Sequence, residues 1–161
     1  MILIDIGNTN IVIAASSGKI INSIKRVDSN QKNNDLKNTF IKTIDIIIKV
    51  KRIDNNQLAI ISSVVPKITA LIIKILTFKN IEVYEVKAEN ILSFLKIEYN
   101  LNEIGADRIA NSIAVVKNKI KNSIVIDFGT ATTFEVLKNG VFSGGLIFPG
   151  INLSKKSLID N

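Results

Sequence analysis

Apolar residues arrive in short bursts at the start of the chain, then spread out to helical spacing. Runs at residues 1–6, 10–15 and 19–25 read as three strands, with "SSGK" (16–19) turning between the second and third. A polar loop, "RVDSNQKNN" (26–34), separates them from a stripe of Leu36, Phe40, Ile44, Ile47 and Ile48 that predicts a helix over 35–52. "LAIISSVV" (58–65) is apolar enough to be a buried strand. Pro66 then suits the first turn of a helix whose face carries Ile68, Leu71, Ile72, Ile75 and Leu76. "IEVYEV" (81–86) alternates as a strand, and a helix starting near Gly105 sets Ile109, Ile113, Val116 and Ile120 on one side. Three strands followed by alternating helices and strands predict an α/β fold with a mixed sheet and helices on both faces.

The pattern restarts near residue 124. Strands are expected at 124–128, 132–138 and 141–147, the last two joined by Asn139-Gly140, a strong hairpin signal. "MILIDIGNTN" (1–10) and "IVIDFGTATT" (124–133) share one grammar: an apolar run, an aspartate, one apolar residue, a glycine, then small polar residues. Asp5 and Asp127 are 122 positions apart. We therefore expect a duplicated domain, with a first copy over 1–122 and an incomplete second copy over 123–161. On that expectation the apolar side chains Val125, Phe134, Val136 and Ile147 would lack cover, and the isolated chain would self-associate or keep this hairpin mobile.

Composition narrows the chemistry. The chain has 161 residues, 47% of them hydrophobic, enough for a real core. No apolar stretch reaches membrane-helix length, and the first run is expected to be structural rather than a targeting segment. With no cysteine and no histidine, thiol catalysis, His general bases and His/Cys zinc sites are excluded, so proton transfer falls to carboxylates. The net charge of +7 invites a nucleic-acid reading, but the lysines are scattered and no aromatic-studded basic strip accompanies them. Neither nucleic acid nor membrane is expected as a partner.

Two Asp-x-Gly hairpins can enclose a polyphosphate. Glycine lets backbone N–H groups approach phosphate oxygens, Asn and Thr side chains add donors, and the strand-end aspartate can hold a metal directly or through its waters. A single copy would read as an ordinary turn. Two copies, each ending an apolar strand, favour the phosphate reading.

This arrangement resembles the acetate and sugar kinase/actin superfamily, with its duplicated ribonuclease H-like domains. More narrowly, "DIGNTNIV" (5–12), "SSVVP" (62–66), "GADRIAN" (105–111), "DFGTATTFE" (127–135) and "GGLIFPGI" (144–151) stand in the order and spacing of type III pantothenate kinases. The resemblance implies ATP-dependent phosphorylation of the primary hydroxyl of pantothenate, the first step of coenzyme A synthesis, in a cytoplasmic homodimer. It implies that Asp5, Ile6, Gly7, Asn8, Thr9, Asn10, Ile11 and Val12 form the ATP phosphate loop, with Asp5 towards magnesium and Thr130 a further ATP contact. Gly105, Ala106, Asp107 and Arg108 would bind pantothenate, Asp107 as general base and Arg108 towards the carboxylate. Asp127 would hold a monovalent cation, K⁺ or NH₄⁺.

Asp107 read alone would also serve as a helix cap, and Arg108 as a surface ion pair. Family members commonly carry Tyr-x-Asn-Pro with the tyrosine seven residues before the glycine; here Tyr99 stands six before Gly105, without the proline, and is the expected substrate contact. Members also continue beyond the equivalent of residue 161, into a region supplying another substrate-contacting threonine, so the chain alone is expected to be a poor kinase. The alternatives are a Bvg accessory factor-like regulator, an inactive remnant, or another small-molecule kinase of the superfamily.

Overall fold

A computed structural model describes residues 1–51 and 57–160. The chain divides into two compact units, Met1–Val86 and Lys87–Asn161. The expected domain boundary at 122/123 falls inside the second unit. Residue 52 of the first expected helix and residue 161 of the expected second copy lie outside the described residues.

The first unit runs β1 (Ile2–Ile6), β2 (Asn10–Ser17), β3 (Ile20–Asp28), α1 (Asn33–Lys51), β4 (Leu58–Ser63), α2 (Pro66–Phe78) and β5 (Glu82–Glu85). Its sheet has the order β3-β2-β1-β4-β5. Tight turns join β1, β2 and β3, which are therefore antiparallel; helical crossovers bring in β4 and β5 parallel to β1. Strand alternation puts Ile2, Ile4 and Ile6 of β1 level with Ile11, Ile13, Ala59 and Ile61 of its neighbours. Leu36, Phe40, Ile44 and Ile47 of α1 and Ile72, Ile75 and Leu76 of α2 complete one buried core with them. Each large aliphatic side chain so buried contributes roughly 1.5–3 kcal/mol. Asp5 projects from the opposite face, so the core fixes the strand that carries it.

Pro66 opens α2, as its missing N–H and fixed φ favour. The buried stripe of α2 includes Thr69, which the apolar pattern passed over; its hydroxyl donates to the Val65 carbonyl at 3.0 Å and so satisfies itself locally.

The second unit holds β6 (Lys96–Ile97), α3 (Ala106–Lys117), β7 (Ser123–Phe128), β8 (Ala131–Lys138), β9 (Val141–Pro149) and α4 (Ile151–Ile159). Its sheet order is β6-β9-β8-β7. The antiparallel meander β7-β8-β9 repeats that of β1-β2-β3, while the two-residue β6 lies parallel to β9. Asn139 and Gly140 have φ of 54° and 77°, the two positive values a type I′ hairpin demands. A bulge follows in the β8–β9 pairing, where Gly144 takes φ +121° and the Tyr99 ring packs 3.3 Å from where a Cβ would stand.

Two expectations are corrected here. Val125, Phe134, Val136 and Ile147 do not form one face. The pairs Ile124–Val136, Ile126–Phe134 and Phe134–Leu146 put Phe134 and Val136 on one side; Val125–Glu135 and Thr133–Ile147 put the others opposite, because side chains alternate strictly along paired strands. The exposed apolar face is Ile124, Ile126, Phe128, Leu146 and Phe148, with Phe128 67% exposed. The stripe expected along α3 is also different. Ala106, Arg108, Ile109 and Ser112 are its buried residues, and Ile120 lies beyond the helix end, 48% exposed.

Candidate active site

The expected site residues fall into two groups, one in each unit. In the first unit, Asp5 to Val12 form one continuous strand-turn-strand. Gly7 N–H donates to the Asn10 carbonyl at 3.0 Å, closing a turn whose tip is Asn8 and Thr9, both exposed. Ile6 and Ile11 on either side are fully buried, so the tip is held by two core anchors. Ser29 braces it from behind. Its amide donates to the Thr9 carbonyl at 2.9 Å, and its hydroxyl to the Gly7 carbonyl at 2.8 Å. Nothing in the sequence pattern singled out Ser29, which sits in the polar stretch after β3. Asp5 lies between Val12 and Ser62 in the adjacent strands, and is exposed. The buried Ser62 hydroxyl has no hydrogen-bond partner among the described residues.

In the second unit, the turn after β7 is one residue shorter. Gly129 N–H donates to the Ala131 carbonyl at 2.9 Å, leaving Thr130 alone at the tip. Gly150 backs this turn: its N–H donates to the Thr130 carbonyl at 3.1 Å, and a Cβ there would run into the carbonyls of Thr130 and Gly129. Glycine is required by that close approach. Asp127 is exposed at the strand end, and its Oδ2 accepts from Asn111 Nδ2 of α3 at 3.2 Å.

The residues around Gly105 open α3. Gly105 itself is the N-cap, so Asp107 lies inside the first turn and is not the capping residue. Its Oδ1 accepts from the Arg108 backbone N–H at 2.7 Å. A carboxylate there benefits from the positive end of the helix dipole. Arg108 does not sit on the surface. It is 6% exposed; Nε donates to Glu135 Oε1 at 3.1 Å, and Nη2 lies 3.4 Å from the Phe134 carbonyl. The guanidinium stands 5.7 Å from the Phe142 ring centroid, and Tyr99 meets the same ring edge-on at 6.2 Å. Tyr99 Oη also donates to Glu103 at 3.1 Å.

Phe142 therefore brings the expected Tyr99 and Arg108 into one cluster, and Glu135 and Asn111 tie α3 to the sheet. None of these three was picked out from the sequence. Glu135 closed a quoted motif, 127–135, and stands two residues before Leu137 along the strand, so the two share a face that the structure buries. Asn111 lay inside a quoted motif, one helical turn beyond Asp107.

No group of three or more His, Cys, Asp or Glu side chains able to hold a metal occurs among the described residues. The single carboxylates Asp5 and Asp127 are the groups that would meet the expected magnesium and monovalent cation. Magnesium in phosphoryl transfer keeps several waters and is held by one or two carboxylates plus the phosphates, a role open to Asp5. Exposed Asp127, with one oxygen bonded to the neutral Asn111, would offer a single carboxylate to a monovalent cation.

A family model for type III pantothenate kinase matches residues 1–161. A type III pantothenate kinase of Pelagibacter ubique is 38% identical over 157 residues, covering 97% of this chain and 61% of that protein. The chain spans about three-fifths of the length of the curated relatives it matches. Among solved structures, a Baf family protein from Campylobacter jejuni superposes with TM-score 0.59 at 21% identity, over 99% of this chain and 60% of that one. A ROK family glucokinase from Streptomyces griseus gives 0.53 at 13% identity, over 92% and 47%. These likenesses place the fold among the actin-like ATPases and sugar kinases. On the match along its whole length, the chain belongs to the type III pantothenate kinase family.

Proposed function

We propose that the protein transfers the γ-phosphoryl group of ATP to the primary hydroxyl of pantothenate, giving 4'-phosphopantothenate and ADP. The observation that carries this reading is the placement of Asp107: a half-buried carboxylate in the first turn of α3, on the helix tied to Asp127 through Asn111. Phosphoryl transfer to an alcohol needs positioning and charge neutralisation more than covalent help. Asp107 accepts the hydroxyl proton as the oxygen bonds to phosphorus and the bond to the bridging oxygen of ADP breaks.

The exposed tip Asn8–Thr9 and the backbone around Gly7 cradle phosphate oxygens, and Thr130 adds a hydroxyl contact to ATP. Asp5 would hold magnesium, directly or through its waters, and Asp127 would hold potassium or ammonium. Each ion would supply neutralising positive charge for the transfer. Tyr99, Gly105, Ala106 and Arg108 would surround pantothenate. The family resemblance supports a homodimer working in the cytoplasm.

The test is direct. Purified protein with ATP, magnesium, potassium and pantothenate should yield equal amounts of ADP and phosphopantothenate by mass spectrometry, slowly, as expected of this chain alone. Acceptance of a sugar or acetate in preference to pantothenate would overturn the substrate assignment; pantothenate binding without turnover would favour the regulator reading.

A further inference from the structure

Glu135 is fully buried in the middle of β8. A buried carboxylate needs partners, and here Oε1 has Arg108 Nε at 3.1 Å while Oε2, also buried, has none among the described residues. The guanidinium it holds is confined on other sides too. The Phe142 ring lies 5.7 Å away, the Phe134 carbonyl 3.4 Å from Nη2, and a Cβ on Gly145 would strike both that carbonyl and Nη2. Arg108 therefore sits in a slot made by a carboxylate, an aromatic ring and a glycine. Its backbone N–H is also the donor on which the Asp107 carboxylate rests, at 2.7 Å.

We propose that Glu135 is a positioning residue for the acceptor site. By holding Arg108 against Phe142 it fixes the first turn of α3, and with it the direction of the Asp107 carboxylate. The inference rests on the kinase reading of Asp107. A buried ion pair is a poor device for stability alone, since desolvating both charges offsets most of their attraction. Its value here is geometric. Arg108 is the residue next to the proposed base, and a small displacement of a catalytic group is costly in rate.

The experiment compares Glu135→Gln, Glu135→Ala and Arg108→Lys with the parent protein. Glu135→Gln keeps the shape and one acceptor oxygen but removes the charge; it is the decisive variant should Glu135→Ala, which strands the buried guanidinium, fail to fold. We expect Glu135→Gln to lower kcat/KM for pantothenate roughly 10–100-fold while KM for ATP stays within about twofold. Amide hydrogen exchange should accelerate at 106–109 and keep parent rates at 113–117. Combining Glu135→Gln with Arg108→Lys should cost little beyond the larger single effect, since both act through one contact. Constants for the two substrates moving together, or exchange rising evenly along α3, would overturn the proposal. Absence of turnover in the parent protein would sink the kinase reading instead, and the exchange pattern would then decide whether Glu135 fixes the turn.

Discussion

Asn111 Nδ2 donates to Asp127 Oδ2 at 3.2 Å, joining the second turn of α3 to the end of β7. Asp107 lies four residues before Asn111, on the same side of the helix. The proposed base and the proposed cation ligand thus share one short mechanical link. Asn111→Ala should leave the fold intact, costing on the order of 0.5–1.5 kcal/mol in chemical denaturation. The half-saturating potassium concentration should shift more than KM for pantothenate. A potassium titration that superposes on that of the parent would remove any functional weight from the contact.

Asp107→Asn should abolish most turnover. Loss of a positioned general base typically lowers rate by ~10²–10⁴. The amide can still accept from the Arg108 N–H through its oxygen, so circular dichroism and the melting temperature should stay close to the parent. Near-normal kcat in this variant would show that the proton leaves by another route.

Exchanging potassium for sodium at constant ionic strength should slow the reaction, and Asp127→Ala should abolish the difference between the two salts. A thermal shift on adding potassium, seen in the parent and lost in Asp127→Ala, would report binding without catalysis. Equal rates and equal melting in both salts would assign Asp127 another role.

Gly150→Ala should destabilise by overpacking, roughly 1–3 kcal/mol, because its Cβ meets backbone carbonyls of the 129–130 turn that cannot rotate away. Gly18→Ala provides the contrast. Gly18 has open space around it but φ of +59°, so only the strain of the left-handed conformation is paid, about 1–2 kcal/mol. Denaturant midpoints separate the two. Activity should fall with Gly150→Ala alone.

Much of this architecture was legible in the chain because local signals and tertiary burial agree. Pro66 marks the start of α2, Asn139-Gly140 marks the β8–β9 hairpin, and Leu36, Phe40, Ile44 and Ile47 mark the buried side of α1. Where the two disagree, sequence reading failed. The α3 stripe was expected from isoleucines and valines, yet its buried side includes Arg108 and Ser112, because an ion pair with Glu135 occupies space that an apolar pattern assigns to aliphatics. The two-residue β6 is too short to leave a periodicity. α4 buries none of its side chains, so no stripe announced it. Phe142 read as an ordinary apolar strand residue; its contact with Arg108 exists only once β9 and α3 are packed.

Hydrogen exchange should also separate the two sheets. β1 and β4 lie inside the first sheet beside a core of fully buried isoleucines, whereas β7 is an edge strand with Ile124 64% and Ile126 47% exposed. Amides of 124–128 should exchange faster than those of β1, and the protein should bind an apolar dye through this face. Slow exchange of β7 without dye binding would mean that the face is covered in solution.

The turns after β1 and β7 differ by one residue, two at the first tip and one at the second. In the middle of a strand, a deletion would send every later side chain to the wrong face. At a hairpin tip it does not, because pairing is counted outward from the turn: Asp5 still meets Val12 and Asp127 still meets Thr133 across the ladder. The tip is thus a place where length can differ while the scaffold keeps its register. The two loops can therefore differ in length independently of the sheets. One presents a pair of amide and hydroxyl donors, Asn8 and Thr9; the other presents Thr130 alone, backed by Gly150. Unequal tips stand on matching ladders without any strand having to move.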